Sequence, residues 1–130
     1  VADLPWEHLA VVLDAREGEV YAAPLARAAA GEAGPVAPAG EPAVCPAGEF
    51  LASAPRPILL VGEGLLYHEL SGEGVSIAEP SRHLPRPEGV WRVGRRMARA
   101  GRYVDLQHLL PIYARKPKVL RDWEARGTAP

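Results

Sequence analysis

Cysteine is nearly missing from these 130 residues: Cys45 stands alone, so no internal disulfide can form and nothing requires an oxidising compartment. Cytoplasm is the expected location. Long apolar runs are missing too. None approaches the roughly 20 residues of a membrane span, and the opening residues lack a signal peptide's charged and apolar regions, so the expected chain is neither embedded nor exported. Aromatic residues make up only 6% of the chain, and no interleaved aromatic platform exists on which bases could stack. Metal-ligand spacing is absent. His8, His68, His83 and His108 fall on separate predicted elements with no His-x-x-x-His or Cys-x-x-Cys among them. His68-Glu69 begins like a zinc-protease helix, yet Gly72 stands where the second histidine belongs. No Gly-x-Ser-x-Gly elbow surrounds any serine, and Cys45, between Val44 and Pro46, reads as an ordinary half-buried thiol. No cofactor, no metal and no hydrolase triad are expected.

What the chain does have is proline and glycine, 14 and 13 residues, which read as stiff connections in one domain spanning residues 1–130. Its net charge of −1 conceals a division. Residues 1–80 hold 12 acids and 3 bases, residues 81–130 hold 4 acids and 12 bases. The basic part can face an anionic partner, solvate one helix, or face the acidic part.

Leu9 to Leu13 and Val20 to Ala23 are apolar runs separated by Arg16-Glu17-Gly18, a hairpin in which Gly18 supplies the left-handed conformation of a tight reversal. From Ala28 to Pro46 the prolines predict a loop or an extended edge segment, and Glu49 to Ser53 a short helix. Pro57 to Val61 reads as a buried strand entering Gly62-Glu63-Gly64 and a short amphipathic stretch, Leu65 to Leu70. Val75 to Ala78 is another strand. Pro87 to Ala100 is the clearest helix, opened by its proline and stopped by Gly101. Its wheel gathers Val90, Val93, Gly94 and Met97 on one side and Arg92, Arg95, Arg96 and Arg99 on the other, which predicts a helix lying on the core with arginines outward. Trp6, Trp91 and Trp123 are expected to pack. A basic helix over Val119 to Arg126 closes the chain.

Two polar constellations remain as candidates. Gly62, Glu63 and Gly64 follow a strand, and bare backbone N–H groups there could cradle a phosphate. The match is incomplete, since no third glycine falls at dinucleotide spacing and Glu63 repels phosphate. The arginines at 92, 95, 96 and 99, with the Arg115-Lys116-x-Lys118 cluster, form a possible anion or RNA face.

The string Leu13-Asp14-Ala15-Arg16-Glu17-Gly18-Glu19-Val20-Tyr21 resembles the Asp-Ala-Arg-x-Gly-Glu-Val-Tyr hairpin of the TsaB (YeaZ) family, glycoprotease-like subunits of bacterial tRNA threonylcarbamoyladenosine synthesis. In the same order, Ile58 to Gly64 resembles that family's apolar strand ending in Gly-acid-Gly. Leu110-Pro111-Ile112-Tyr113-Ala114-Arg115 resembles its Pro-x-Tyr-x-Arg signature. The resemblance implies an α/β lobe of the actin-like ATPase (ASKHA, ribonuclease H-like) class, a mixed sheet flanked by helices. It marks Asp14, Arg16, Gly18, Glu19, Tyr21, Pro111, Tyr113 and Arg115 as family positions, and implies a noncatalytic subunit acting through a TsaD-like catalytic partner. The family's first lobe, opening on a strand that ends in Asp-Thr, has no counterpart here, so the chain resembles the second lobe alone. Self-association through the face that a first lobe would cover is expected, with tRNA contact indirect or weak. Two other readings stay open: a degenerate nucleotide-binding or hydrolase domain using Asp14 and Gly62-Glu63-Gly64, and an RNA-binding module using the arginine helix.

Overall fold

The sheet grows from one hairpin. The computed structural model describes residues 3–28, 36–111 and 118–127, which leaves Ile112, Tyr113, Ala114, Arg115 and Lys116 outside the described residues. Strands β1 (His8–Asp14) and β2 (Glu19–Arg27) pair antiparallel, with Leu13 opposite Tyr21 and Asp14 opposite Val20. At the turn the Glu19 N–H donates to the Arg16 carbonyl at 3.0 Å, and Arg16, Glu17 and Gly18 all carry positive φ. Consecutive left-handed residues match the twist of the two strands, and Gly18 adopts that conformation without a Cβ penalty.

The proline-rich stretch becomes edge structure. β3 (Val36–Pro38) and β4 (Ala43–Pro46) pair one after the other along the outer side of β2, where a proline costs no interior ladder bond. Helix α1 (Ala47–Ser53) follows β4 directly. The chain then crosses to the far side of β1, where β5 (Ile58–Val61) pairs with it in parallel, and β6 (Val75–Ile77) pairs in parallel with β5. Five positions result, in the order β3 and β4 together, then β2, β1, β5 and β6.

Every residue of β5 is buried, as a continuous apolar run in a parallel strand requires. Ala10, Val12, Val20, Ile58, Leu60 and Leu70 fill one face, beneath Phe50 and Leu51 of α1. Leu9, Leu59, Val61 and Ala78 fill the other, covered by Leu4 and Trp6. Trp6 also carries the Arg27 guanidinium 4.3 Å above its ring.

Parallel pairing of β1 and β5 brings the chain after β5 hard against the end of β1. At Gly62, φ is +130° and an added Cβ would fall on the Val12 carbonyl. At Gly64 it would meet the Leu13 carbonyl carbon at 2.9 Å and the Asp14 nitrogen at 3.1 Å. Only glycine permits this approach. A 3-10 turn, Glu63–Leu66, then leads away over the first face.

Helix α2 (Pro87–Arg99) has the expected bounds, and Gly101 ends it with φ +68°. Its placement corrects the sequence reading. No residue of α2 is buried, and Val90 and Trp91 are each 67% exposed. The reason is that amphipathicity records an apolar side without supplying its cover: α1 occupies one sheet face, and beside the other α2 borders a groove with Glu88, Gly89 and Arg92, so its apolar side stays outward. Trp91 is likewise exposed, and Trp123 on α3 (Lys118–Ala125) is 40% exposed rather than buried.

Two alanine substitutions should move stability in opposite directions. Gly62→Ala is expected to cost about 3 kcal/mol or more, because both φ and the Val12 backbone forbid a side chain. Gly48→Ala, inside α1 with nothing within 4 Å of the new methyl, should gain about 0.5–1 kcal/mol from helix propensity. Urea unfolding of the two variants checks both signs.

Candidate functional site

In open α/β sheets, ligands bind beyond the carboxyl ends of parallel strands at the point where strand order reverses. Here that point is the joint end of β1 and β5, and the chain leaves β1 toward β2 on one side while β5 returns on the other. Asp14 closes β1 at this position. Its Oδ1 accepts from the Nε2 of His68 at 3.0 Å and from the backbone N–H of Arg16 at 3.0 Å. Its Oδ2 lies 3.4 Å from the Arg16 Nε, and its own N–H donates to the Glu63 carboxylate at 3.2 Å. The side chains of Asp14 and His68 are only 10% and 11% exposed. Asp14 thus joins the hairpin turn, the glycine turn and the segment after it. The hydrogen bond from His68, and next the one from the Arg16 backbone, hold its carboxyl below the usual carboxylate range.

The sequence reading weighed His68 only as a metal ligand and missed its pairing with Asp14. It lies 54 positions from Asp14, and no local spacing links the two. Of the family positions, Arg16 and Gly18 form the exposed turn, Glu19 and Tyr21 are half-buried on β2, and Pro111 is exposed. Tyr113 and Arg115 lie outside the described residues. Gly62 and Gly64 face the β1 backbone, and the Glu63 carboxylate is engaged with Asp14, so this geometry favours a packed turn over a phosphate cradle.

The other titratable groups are placed apart. His83 is buried with Nε2 donating to the Ala78 carbonyl at 2.8 Å, and His108 rests on Asp105 at 3.2 Å. Among the described residues, no group of three or more His, Cys, Asp or Glu gathers as metal ligands would. Burial, then Glu49 and Glu19, push the Cys45 thiol up, the opposite of what activates a nucleophile. Arg82 grips Asp3 with two bonds of 2.8 Å and holds that carboxyl well below its ordinary range. A groove of about 1070 Å³ on the second sheet face is lined by Val11, Leu13, His83, Glu88, Gly89 and Arg92, among others. Helix α2 therefore shows the groove part of its polar side. Arg92, Arg95 and Arg99 are exposed and Arg96 partly so, and none of their guanidiniums makes a hydrogen bond or ion pair among the described residues.

Sheet order, strand directions and flanking helices define an α/β lobe of the actin-like, ribonuclease H-like class. The fold is YeaZ-like. A crystal structure of an uncharacterized protein from Pseudomonas aeruginosa, described as similar to peptidase YeaZ, superposes with a TM-score of 0.60 at 25% identity. The match covers 84% of this chain and 50% of that one, so the chain spans about half the length of this structural relative. No protein-family profile and no curated protein matches it. No helix among the described residues is long and apolar enough to cross a membrane.

The Asp14 latch makes stability depend on pH with a definite sign. Its carboxyl titrates lower in the folded chain than in the unfolded one, so its contribution is complete above the unfolded value. On acidification the unfolded chain takes up the proton first, and the contribution disappears as pH falls through the folded value. Asp14→Asn is therefore expected to destabilise at neutral pH by an amount that shrinks steadily below about pH 4. Urea curves for both proteins across that range read it, and a gap that stays constant would contradict the latch.

Proposed function

We propose that this chain serves as a noncatalytic partner lobe of a TsaB-type subunit, supporting threonylcarbamoyl transfer to adenosine in tRNA through contact with a TsaD-type catalytic subunit. The observation that carries the reading is the coincidence of two independent likenesses. The Asp-Ala-Arg-x-Gly-Glu-Val-Tyr string falls on the β1–β2 hairpin of a lobe whose fold is YeaZ-like.

The joint end of β1 and β5 supports the noncatalytic part. A ligand site there needs groups free to meet a substrate. Asp14 is engaged by His68 and the Arg16 backbone, Glu63 is engaged by Asp14, and both glycines serve close packing. The hydroxyl of Ser53, on α1, donates to the Glu49 carbonyl in its own helix. The chemistry then belongs to the partner, and this lobe contributes surface.

Light-scattering chromatography with a purified TsaD-type subunit tests the proposal, run with this chain and with the same chain fused behind a TsaB-type first lobe. Coelution of either form supports the partner role, and the short form alone coeluting assigns the contact to this lobe. Failure of both overturns it. Saturable ATP binding by this chain, lost on Gly64→Val, would favour the degenerate nucleotide-binding reading instead.

A further inference from the structure

The end of β1 and β5 is sealed, yet the second sheet face beside it opens into the groove of about 1070 Å³, just above the ~300–1,000 Å³ of ordinary small-ligand sites. Its floor is apolar: Val61 is buried, and Val11 and Leu13 are half-buried. The charged groups around that floor are unequally satisfied. Arg82 holds Asp3 through both terminal nitrogens, so that pair is closed. Arg86 donates from Nη2 to the Ser81 carbonyl at 3.1 Å, which leaves its Nε and Nη1 unengaged among the described residues. The Arg92 guanidinium has no partner among them at all.

These groups define a ligand by what they lack. Arg86 and Arg92 both line the groove and can only donate, and the guanidinium fork matches a planar carboxylate. Glu79 and Glu88 line it as well and repel a second negative charge, which favours one carboxylate over a phosphate monoester with its charge of about −2. His83 adds a third requirement. It lines the groove at 7% exposure, and its Nε2 carries the proton because the Ala78 carbonyl it meets only accepts. Nδ1 therefore keeps the lone pair, and it is buried without a partner. A buried acceptor left unpaired is costly, and a ligand N–H at this wall supplies the missing bond. A fatty acid has the apolar body and the carboxylate but no such donor.

We infer that this groove binds the C-terminal end of a peptide whose last residue is apolar. The terminal carboxylate meets Arg92 and Arg86, the last side chain rests on Val11, Leu13 and Val61, and the last peptide N–H serves His83. The inference stands independently of the tRNA-modification reading, since it uses none of the residues that carry that resemblance.

Calorimetry of the full chain with the peptide acetyl-Ala-Ala-Leu tests it. Saturable one-to-one binding is expected, weakened about tenfold or more when the terminal carboxylate is converted to a carboxamide, because charge-assisted bonds are lost. Glutamate in place of the terminal leucine should weaken binding by a similar factor, through the apolar floor and the two groove acids. An ester analogue, with oxygen in place of the last N–H, probes the bond to His83 without altering the protein and should bind about fivefold or more weakly. Arg92 is exposed, so Arg92→Ala spares the fold. It should erase the preference for carboxylate over carboxamide, whereas Arg99→Ala, outside the groove, should retain it. No binding of the peptide overturns the inference, as does equal affinity for carboxylate and carboxamide, for leucine and glutamate, or for the peptide and its ester. Tighter binding of dodecanoate or of AMP, weakened by Arg92→Ala, overturns it in favour of a fatty acid or a nucleotide.

Discussion

The architecture depends on one close approach: the chain leaving β5 passes so near the end of β1 that only glycine fits at position 62, against the Val12 carbonyl. Parallel pairing of β1 with β5 sets this geometry, because both strands end at the same level and the next residues must turn across β1. Gly64 continues the contact, and Asp14 then fastens it with hydrogen bonds to His68 and the Arg16 backbone. The hairpin, the glycine turn and the segment after the 3-10 turn meet at a single residue, Asp14. The hydrogen bonds from His68 and the Arg16 backbone outweigh the opposing effect of burial and hold this carboxyl below the usual carboxylate range.

That constraint also shapes the functional reading. The position where open α/β sheets usually receive ligands is here filled by the protein's own backbone and by polar groups that satisfy one another. A lobe built this way offers surfaces more readily than chemistry. The surfaces are uneven: the sheet body is compact and acidic, while the basic arm after it exposes both its apolar stripe and its guanidiniums. The proposed function concerns what meets those surfaces.

Much of the fold was legible because its signals are local. The β1–β2 hairpin announced itself through two apolar runs around Gly18, and β5 through an uninterrupted apolar run that led into glycine. The bounds of α2 followed from Pro87 and Gly101. Less was legible where the cause lies far along the chain. No local pattern pairs Asp14 with His68, and the positive φ of Arg16 and Glu17 comes from the turn as a whole rather than from their residue types. Placement of α2 failed for a related reason. Its wheel states which side seeks cover, but whether cover exists depends on how fully other segments occupy the sheet faces, which no single window contains.

Hydrogen exchange on the full chain at high dilution tests the account most directly. The account predicts strong protection of β1, β2 and β5 amides, which open only on global unfolding, beside α2 amides that exchange through cheap local opening. Protection of α2 equal to that of the sheet would mean that the helix is covered within its own chain, and would contradict the account.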